Sequence, residues 1–365
     1  MQLEVDRTDL HRTRLVDDGA AARSGDGALL RIDSFALTSN NITYAVFGDA
    51  MQYWNFFPAS DTDPASGTWG RVPVWGFGEV VESGVAGLAP GRRVYGYWPM
   101  GTDLVVEPGR IDARGFHDLA AHRQPMAGAY NRYVFTDTDP IYAPDREAHQ
   151  MVLWPLFFTS FVIDDFLADN DTFGAPTVLV SSASSKTAIG AAFLLSASGR
   201  SRVVGLTSPA NADFVRGLGC YDDTVEYGDA DALPDGDAVY VDIAGNLDVR
   251  AAVHGRYGDR LRYSMIVGDT HWDHQAEAHA PNAGPEPAFF FAPTQIAKRT
   301  KDWGQSVLDE RVAEAWRRYS TWVDGWLTFE QFTGPDRVEE AYRLLLDGRA
   351  DPRVGYVCSM QARPA

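Results

Sequence analysis

The stretch Ser181-Ser-Ala-Ser-Ser-Lys-Thr187 follows an apolar run, Val178-Leu-Val180, and leads into a small-residue run from Ala188 to Ser196. A strand, a polar loop and a small-residue helix form the arrangement that receives a pyrophosphate, because free N–H groups and the dipole at a helix start attract anions. The usual loop is glycine-rich, so that backbone can approach the phosphates. Here Ser182, Ser184, Ser185 and Thr187 offer hydroxyls to phosphate oxygens instead, and Lys186 stands at the helix mouth where a cation would face the pyrophosphate. A plain βα turn with a solvated lysine accounts equally well for the loop taken alone. The next strand ends Gly205-Leu-Thr-Ser-Pro209 and lacks the acid that usually holds the ribose hydroxyls of NAD. Thr207, Ser208 and Asn211 can hydrogen-bond a 2′-phosphate, with Arg216 one helix face further on, so the pattern favours NADP. Tyr227 either packs on the adenosine side or simply ends the following short strand.

Two further groups carry chemistry. Met51-Gln-Tyr-Trp-Asn-Phe-Phe-Pro58 is aromatic and Pro-terminated, and Trp69, Trp75 and Trp98 lie in the same half of the chain. Aromatic residues line pockets for small apolar ligands as they line cores; the loop-like setting of Tyr53 and Trp54 assigns these two to a substrate pocket. His271-Trp-Asp-His-Gln-Ala-Glu-Ala-His279 is the densest histidine cluster. It reads as a metal site, a cleft-lining loop or solvated surface. The spacing matches no specific metal pattern, and loops after strand ends face the ligand crevice of a parallel sheet. The cleft-lining reading therefore leads, no metal is assigned, and His271 is a candidate to bind or protonate substrate.

Composition narrows the partners. The chain has 365 residues, enough for two domains, and a net charge of -18. That charge repels nucleic-acid phosphates and anionic lipid, so neither is expected as a partner. No uninterrupted apolar run long enough for a membrane span occurs, and the acidic start of the chain does not read as a secretory signal. Two cysteines, Cys220 and Cys358, make neither a disulfide framework nor a four-cysteine zinc site. A cytoplasmic protein is the expectation. Lys186, Lys298 and Lys301 are the only lysines among 32 basic residues, which reads as the codon bias of a GC-rich bacterial genome.

These groups need elements to hold them. From Ala28 to Val106 short β runs alternate with Gly and Pro, the texture of a small barrel. Gly109 to Tyr130 reads as an inserted loop. An apolar helix is expected from Trp154 to Leu167, with Asp164 and Asp165 on its wet side. From Thr177 onward strands and helices alternate, which predicts a parallel doubly wound sheet. Ser306 to Leu327 is a helix with an apolar stripe of Val307, Leu308, Val312, Ala315, Trp316, Tyr319, Trp322 and Val323, and Arg353 to Cys358 is a closing strand.

The order of these parts resembles the medium-chain dehydrogenase/reductase superfamily, in its zinc-free quinone and enoyl reductase branch. Residues 74–94, Val-Trp-Gly-Phe-Gly-Glu-Val-Val-Glu-Ser-Gly through Pro-Gly-Arg-Arg-Val, resemble its G-x-G-V-V-x-x-G and G-D-R-V segment. Residues 178–185 resemble V-L-V-x-G-A-S-G, with Ser182, Ser185 and Ala188 where the family places glycines. Thr207-Ser-Pro-Ala-Asn211 is similar to the S-P-x-N form of fungal trans-acting enoyl reductases, which use NADPH with a glycine-poor loop. The resemblance points to a domain-of-unknown-function branch.

It implies an α/β fold: a GroES-like β-barrel catalytic domain over 1–155, completed by 290–365, and a Rossmann-like doubly wound parallel sheet over 156–289. It implies a zinc-independent, NADPH-dependent oxidoreductase reducing an enone, quinone or related activated carbonyl compound, with a homodimer as the implied assembly. Zinc ligands are absent from the matching region, since residues 40–57 hold neither Cys nor His. Asn41-Ile-Thr-Tyr44 matches the family's Asn-x-x-Tyr, which places Asn41 in the substrate pocket and makes Tyr44 the proton donor or substrate-orienting hydroxyl. Gly268 and Phe290 would hold the carboxamide end of the cofactor. The glycine-free loop keeps another class open: a relative that has lost its cofactor and binds a small molecule, or a lyase or isomerase that uses no hydride.

Overall fold

A computed structural model of the chain describes residues 1–17, 27–59, 68–267 and 283–361. Along the chain come β1 (Gln2–Asp6), β2 (Asp9–Val16), β3 (Ala28–Leu37), α1 (Ser39–Val46), β4 (Trp69–Gly70), β5 (Pro73–Ser83), β6 (Arg93–Pro99), β7 (Asp103–Val106), β8 (Pro108–Asp112), β9 (Gly115–Asp118), β10 (Arg132–Phe135) and α2 (Glu147–Asp169). There follow β11 (Thr177–Val180), α3 (Lys186–Ser198), β12 (Arg202–Thr207), α4 (Ala212–Gly217), β13 (Asp223–Glu226), β14 (Ala238–Asp242), α5 (Leu247–Tyr257), β15 (Leu261–Ile266) and β16 (Ala288–Phe289). The chain ends with α6 (Ala292–Trp303), α7 (Gln305–Trp322), β17 (Thr328–Thr333), α8 (Pro335–Leu346) and β18 (Val354–Ser359). Two units result, Met1–Trp154 with Leu327–Ala365, and Pro155–Trp326.

The first unit is β-rich. A three-stranded sheet runs β2-β1-β4, and a nine-stranded sheet runs β17-β18-β3-β5-β6-β10-β9-β8 with β7 also on β3. β18 reaches the sheet through the parallel β17–β18 pair, whose crossover is α8, and lies antiparallel to β3 with Tyr356 opposite Leu37. Leu30, Phe35, Val74, Trp98, Phe116, Phe135, Phe332 and Tyr342 form its core. The buried Trp98 indole N–H donates to the Gly76 carbonyl at 2.9 Å.

The second unit carries six parallel strands in the order β13-β12-β11-β14-β15-β16. Both faces of such a sheet are covered at its centre, so the central strands β11 and β14 are buried at every position. The strand order reverses between β11 and β14, the point at which doubly wound sheets open a ligand crevice. The expected α/β class, a β-rich domain and a Rossmann-like sheet, is the fold observed.

Several local expectations differ. The chain returns to the first unit at Leu327 rather than at 290. The reason is packing: Phe157 and Phe193 lie against Tyr319 of α7, with ring centroids 4.8 and 5.4 Å apart, which keeps that helix in the second unit. Residues 109–118 are not irregular, because β8 and β9 form a hairpin that β10 extends, whereas 119–130 is the irregular connection that was expected. Asp165 is not on a wet face: it is buried and accepts from Arg299 Nε at 2.6 Å. Val307 stands out of the apolar stripe, exposed. β1 and β2 were not expected as strands. The segment Pro144–Asp169 meets the length and composition of a membrane span although its apolar run is interrupted, and half of its most apolar window is buried inside the protein.

Candidate functional site

In the second unit the serine loop lies at the strand-order reversal. Ser181 Oγ donates to Asp242 Oδ1 at 2.9 Å and accepts the N–H groups of Ile243 and Ala244, both at 3.0 Å. Asp242, fully buried, also accepts from the Gly245 N–H and from Arg250 Nε at 2.7 Å. The turn after β14 is thereby tied to the loop after β11. Ser182 is left-handed, with φ 53°, a conformation that favours glycine. Its N–H donates to the Tyr227 hydroxyl at 2.8 Å. The Ala183 N–H goes to the Leu206 carbonyl, Ser184 Oγ accepts from Asn211 Nδ2 at 3.1 Å, and Ser185 caps α3 by accepting the Ala188 N–H. Lys186 is the first residue of α3 and Thr187 the second, both half-buried. The late glycine, Gly190, has a packing reason: a Cβ there would lie 2.7 Å from Ser160 Oγ of α2.

Beside this loop is a cavity of about 280 Å³ between the ends of β12 and β13 and the start of α5. Leu206, Val225, Val249 and Val253 give it apolar walls, Tyr227 lies on its rim next to the loop, and Glu226, Asp229 and Asp248 supply carboxylates. Its size and walls suit one flat heterocycle. Thr207 is buried beside it and takes the Tyr227 N–H on its carbonyl. Arg216 is engaged by Asp213 and Glu226. Phe290 is buried, with its N–H on the Ile266 carbonyl and its ring edge-on to Phe166. Gly268 and His271, with the whole 271–279 cluster, lie outside the described residues.

In the first unit α1 and the turn at Tyr53–Asn55 lay aromatic rings over one face of β5 and β6. Strand periodicity puts Trp75 and Phe77 of β5 on the same face as Tyr97 and Tyr95 of β6, as paired residues. Tyr44 meets Tyr53 at 4.5 Å and Tyr97 at 5.8 Å, and Trp75 meets Tyr97 at 4.8 Å. Phe56 and Phe57 close the cluster. The Tyr44 hydroxyl accepts from Asn40 Nδ2 at 2.6 Å. Burial first, and then the neighbouring Tyr130 phenol, push the Tyr44 phenol above its ordinary value, so it stays protonated across neutral and mildly alkaline pH. Tyr53, Tyr95 and Tyr97 are pushed up by burial in the same way. Tyr95 Oη and Tyr97 Oη are buried and make no hydrogen bond among the described residues, while Trp75 engages the Tyr44 hydroxyl.

Of the residues the sequence put in a pocket, Tyr44 and Tyr53 meet. Asn41 and Trp54 do not join them. Asn41 is a structural cap: it accepts the Thr38 N–H at 2.7 Å and donates to the Pro73 carbonyl at 2.8 Å. Trp54 packs in the core against Gly48 and Gly70, where a Cβ would lie 2.2 and 2.5 Å from its ring. Sequence reasoning missed Tyr95, Tyr97 and Tyr130 and the Asp242 tie. The alternate aromatics Trp75-x-Phe77 and Tyr95-x-Tyr97 were the available signal for the first two.

Residues 35–351 match the model of a family described as protein of unknown function (DUF2855). No curated protein matches the chain. Solved structures do. CurA from Vibrio vulnificus in complex with NADPH is similar at TM-score 0.57, with 13% identity over 97% of this chain and 94% of that one. The quinone oxidoreductase from Coxiella burnetii is similar at TM-score 0.57, with 15% identity over 99% of each chain. The CurF ER cyclopropanase of the curacin A biosynthetic pathway gives TM-score 0.56 and 14% identity over 99% of each. At such identities the likeness is one of fold, and it is the fold that the sequence resemblance implied.

Proposed function

The chain belongs to the DUF2855 family of proteins of unknown function, and from that premise we propose that it is a zinc-independent, NADPH-dependent oxidoreductase reducing an enone, a quinone or a related activated carbonyl compound. The observation that carries the reading is the cavity beside the serine loop at the strand-order reversal, sized for one flat base and bordered by Tyr227. The residues fit a nicotinamide dinucleotide at that end. Leu206, Val225 and Val253 would hold the base, and Ser182, Ser184, Ser185, Lys186 and Thr187 would hold the pyrophosphate. Ser208 and Asn211, with Thr207 at the end of β12, would hold the 2′-phosphate, and Gly268 and Phe290 are assigned to the carboxamide. CurA binds NADPH by its name, and the quinone oxidoreductase acts on quinones by its name.

When bound, the cofactor supplies a hydride for the electrophilic carbon of the acceptor. The chain's own part is orientation and charge. Tyr44 is assigned to the acceptor's carbonyl oxygen. Its hydroxyl accepts from Asn40 and also interacts with Trp75 and Tyr130, and an acceptor oxygen would take its proton in place of the Tyr130 hydroxyl. A phenol pushed up by burial parts with that proton less readily, so hydrogen-bond donation to a developing enolate suits it better than full transfer. His271 is assigned to bind or protonate substrate. Zinc is not called on, because residues 40–57 lack Cys and His.

Calorimetric titration tests the reading. NADPH is expected to bind more tightly than NADH; equal affinities overturn the preference, and no binding of either overturns the enzyme. One observation favours a second reading, a small-molecule binding protein or a lyase or isomerase without hydride transfer. The Ser182 N–H, which would serve a phosphate, is already satisfied by Tyr227.

A further inference from the structure

The cavity beside the serine loop is rimmed by acids. Glu226, Asp229 and Asp248 line it, and no basic residue among those described does. A site for a phosphorylated ribose ordinarily carries a cation, and a site for an unphosphorylated one an acid at the end of the second strand. β12, the second strand here, ends in Thr207. The charges around that strand end therefore decide which ribose is accepted.

The register supplies an acid from the neighbouring strand. Thr207 is the last residue of β12 and Glu226 the last of β13, and the two are partners at the end of the parallel ladder. Neighbouring strands lie about 4.8 Å apart, and partners project to the same face. Both strand ends are fixed by the turn that follows: the Tyr227 N–H donates to the Thr207 carbonyl at 2.8 Å and the Asp229 N–H to the Glu226 carbonyl at 3.1 Å. The carboxylate that β12 lacks thus stands one strand over.

Glu226 is not bare. On α4, Arg216 donates from Nη2 to Glu226 Oε1 at 3.1 Å and from Nη1 to Asp213 Oδ1 at 2.8 Å. The Arg216 and Glu226 side chains are 50% and 39% exposed, so this pair is held in water and is weak enough to exchange partners. A phosphate matches the guanidinium fork as well as a carboxylate does. With Arg216 turned to a phosphate, Glu226 is left as a bare charge beside it; with Arg216 in place, the carboxylate keeps one oxygen for ribose hydroxyls.

We propose that Glu226 is the specificity-determining residue of the nucleotide site: it opposes a phosphorylated ribose, and Arg216, shared between Glu226 and the 2′-phosphate, offsets that opposition. The proposal rests on the reductase reading for the identity of the nucleotide. The preference for NADPH over NADH is then the difference between two opposed charges, and removing either one moves it in a stated direction.

The test is calorimetric binding of adenosine 2′,5′-bisphosphate and adenosine 5′-phosphate to the full chain, two nucleotides that differ only in the 2′-phosphate. The readout is the ratio of their dissociation constants within one variant, in which any change in the folded fraction cancels. Glu226→Gln keeps the shape and removes the charge. It should move the ratio about three- to fivefold toward the bisphosphate, the upper part of the range for one exposed charge interaction. Arg216→Gln should move it by a similar factor toward the monophosphate. A ratio unmoved by Glu226→Gln, or moved toward the monophosphate, overturns the proposal and leaves the reductase reading intact. Binding of neither nucleotide overturns the proposal, and titration of the same preparation with NADPH then decides the reductase reading separately. Ratios that move as stated in a protein that binds no NADPH would overturn the reductase reading alone.

Discussion

The Ser182 backbone N–H donates to the Tyr227 hydroxyl at 2.8 Å, so the side chain that borders the cavity also closes the loop next to it. A phosphate at this loop and the Tyr227 hydroxyl compete for one donor. Tyr227→Phe keeps the ring on the cavity and frees the N–H. NADPH affinity should then rise by a few-fold to about tenfold, the worth of a net hydrogen bond, while the protein without cofactor loses about 1–2 kcal/mol of stability through the orphaned donor. Weaker binding by calorimetry would mean that the hydroxyl itself holds the cofactor.

Lys186 occupies the first position of α3, whose first turn holds no acid. A cation there opposes the helix dipole by about 0.3–1 kcal/mol, a placement that an arriving anion reverses. Lys186→Ala should weaken NADPH binding by about 10- to 150-fold, the worth of one charge-assisted bond. Unchanged affinity in titration would return the lysine to a solvated helix end.

For Tyr44, the phenylalanine variant removes the hydroxyl and keeps the ring contacts with Tyr53 and Tyr97. Turnover should fall by about 10- to 150-fold, as for loss of a hydrogen bond to developing charge, with cofactor affinity unchanged. The wild-type rate should show no loss attributable to this group between pH 7 and about pH 10, because the folded phenol ionises above its ordinary value. A steady-state pH profile checks both.

The same burial makes stability pH-dependent on the alkaline side. Tyr133 is pushed up to about 12, and Tyr53, Tyr95 and Tyr97 are also raised, all by desolvation first. Unfolded phenols ionise near pH 10. Their contribution is therefore complete below about pH 10 and is lost above it, by up to about 1.4 kcal/mol per phenol per pH unit. Urea midpoints at pH 9, 10 and 11 should fall steadily, and equal midpoints would contradict the burial.

Asp118 and Arg123 are both buried, and Asp118 also accepts the N–H groups of Glu107 and Ala120. Asp118→Ala strands a buried guanidinium and should cost about 3–5 kcal/mol in denaturant unfolding. A loss below about 1 kcal/mol would show that water reaches the pair.

What the sequence disclosed follows from how local the cause is. The parallel sheet was legible because strands buried on both faces are continuous apolar runs, such as Val178-Leu-Val180 and Ala238-Val-Tyr-Val241. The serine loop was legible as the piece between a strand and a helix. Ser182's left-handed turn and its bond to Tyr227 were not, since they depend on a pairing across 45 positions. Trp54 and Tyr53 are neighbours in sequence, yet one enters the core and the other the aromatic cluster, a division set by Gly48 and Gly70 and invisible in composition. Tyr130 was hidden because its importance lies in the rings it touches, not in the polar segment that carries it.

The position of β18 bears on how the molecule is made. Tyr356, Val357 and Cys358 pair with Leu37, Ala36 and Phe35, so that stretch of β3, beyond the part covered by β7, lacks its neighbour until β18 has been synthesised. The intervening Pro155–Trp326 unit is by then complete in sequence and can assemble ahead of the unit encoded before it. The nascent β-rich unit thus waits with an open sheet edge, a surface prone to pairing with other chains. A chain truncated before Val354 would carry a finished second unit and a first unit with that edge still open, which makes the arrival of β18 the step that closes the sheet.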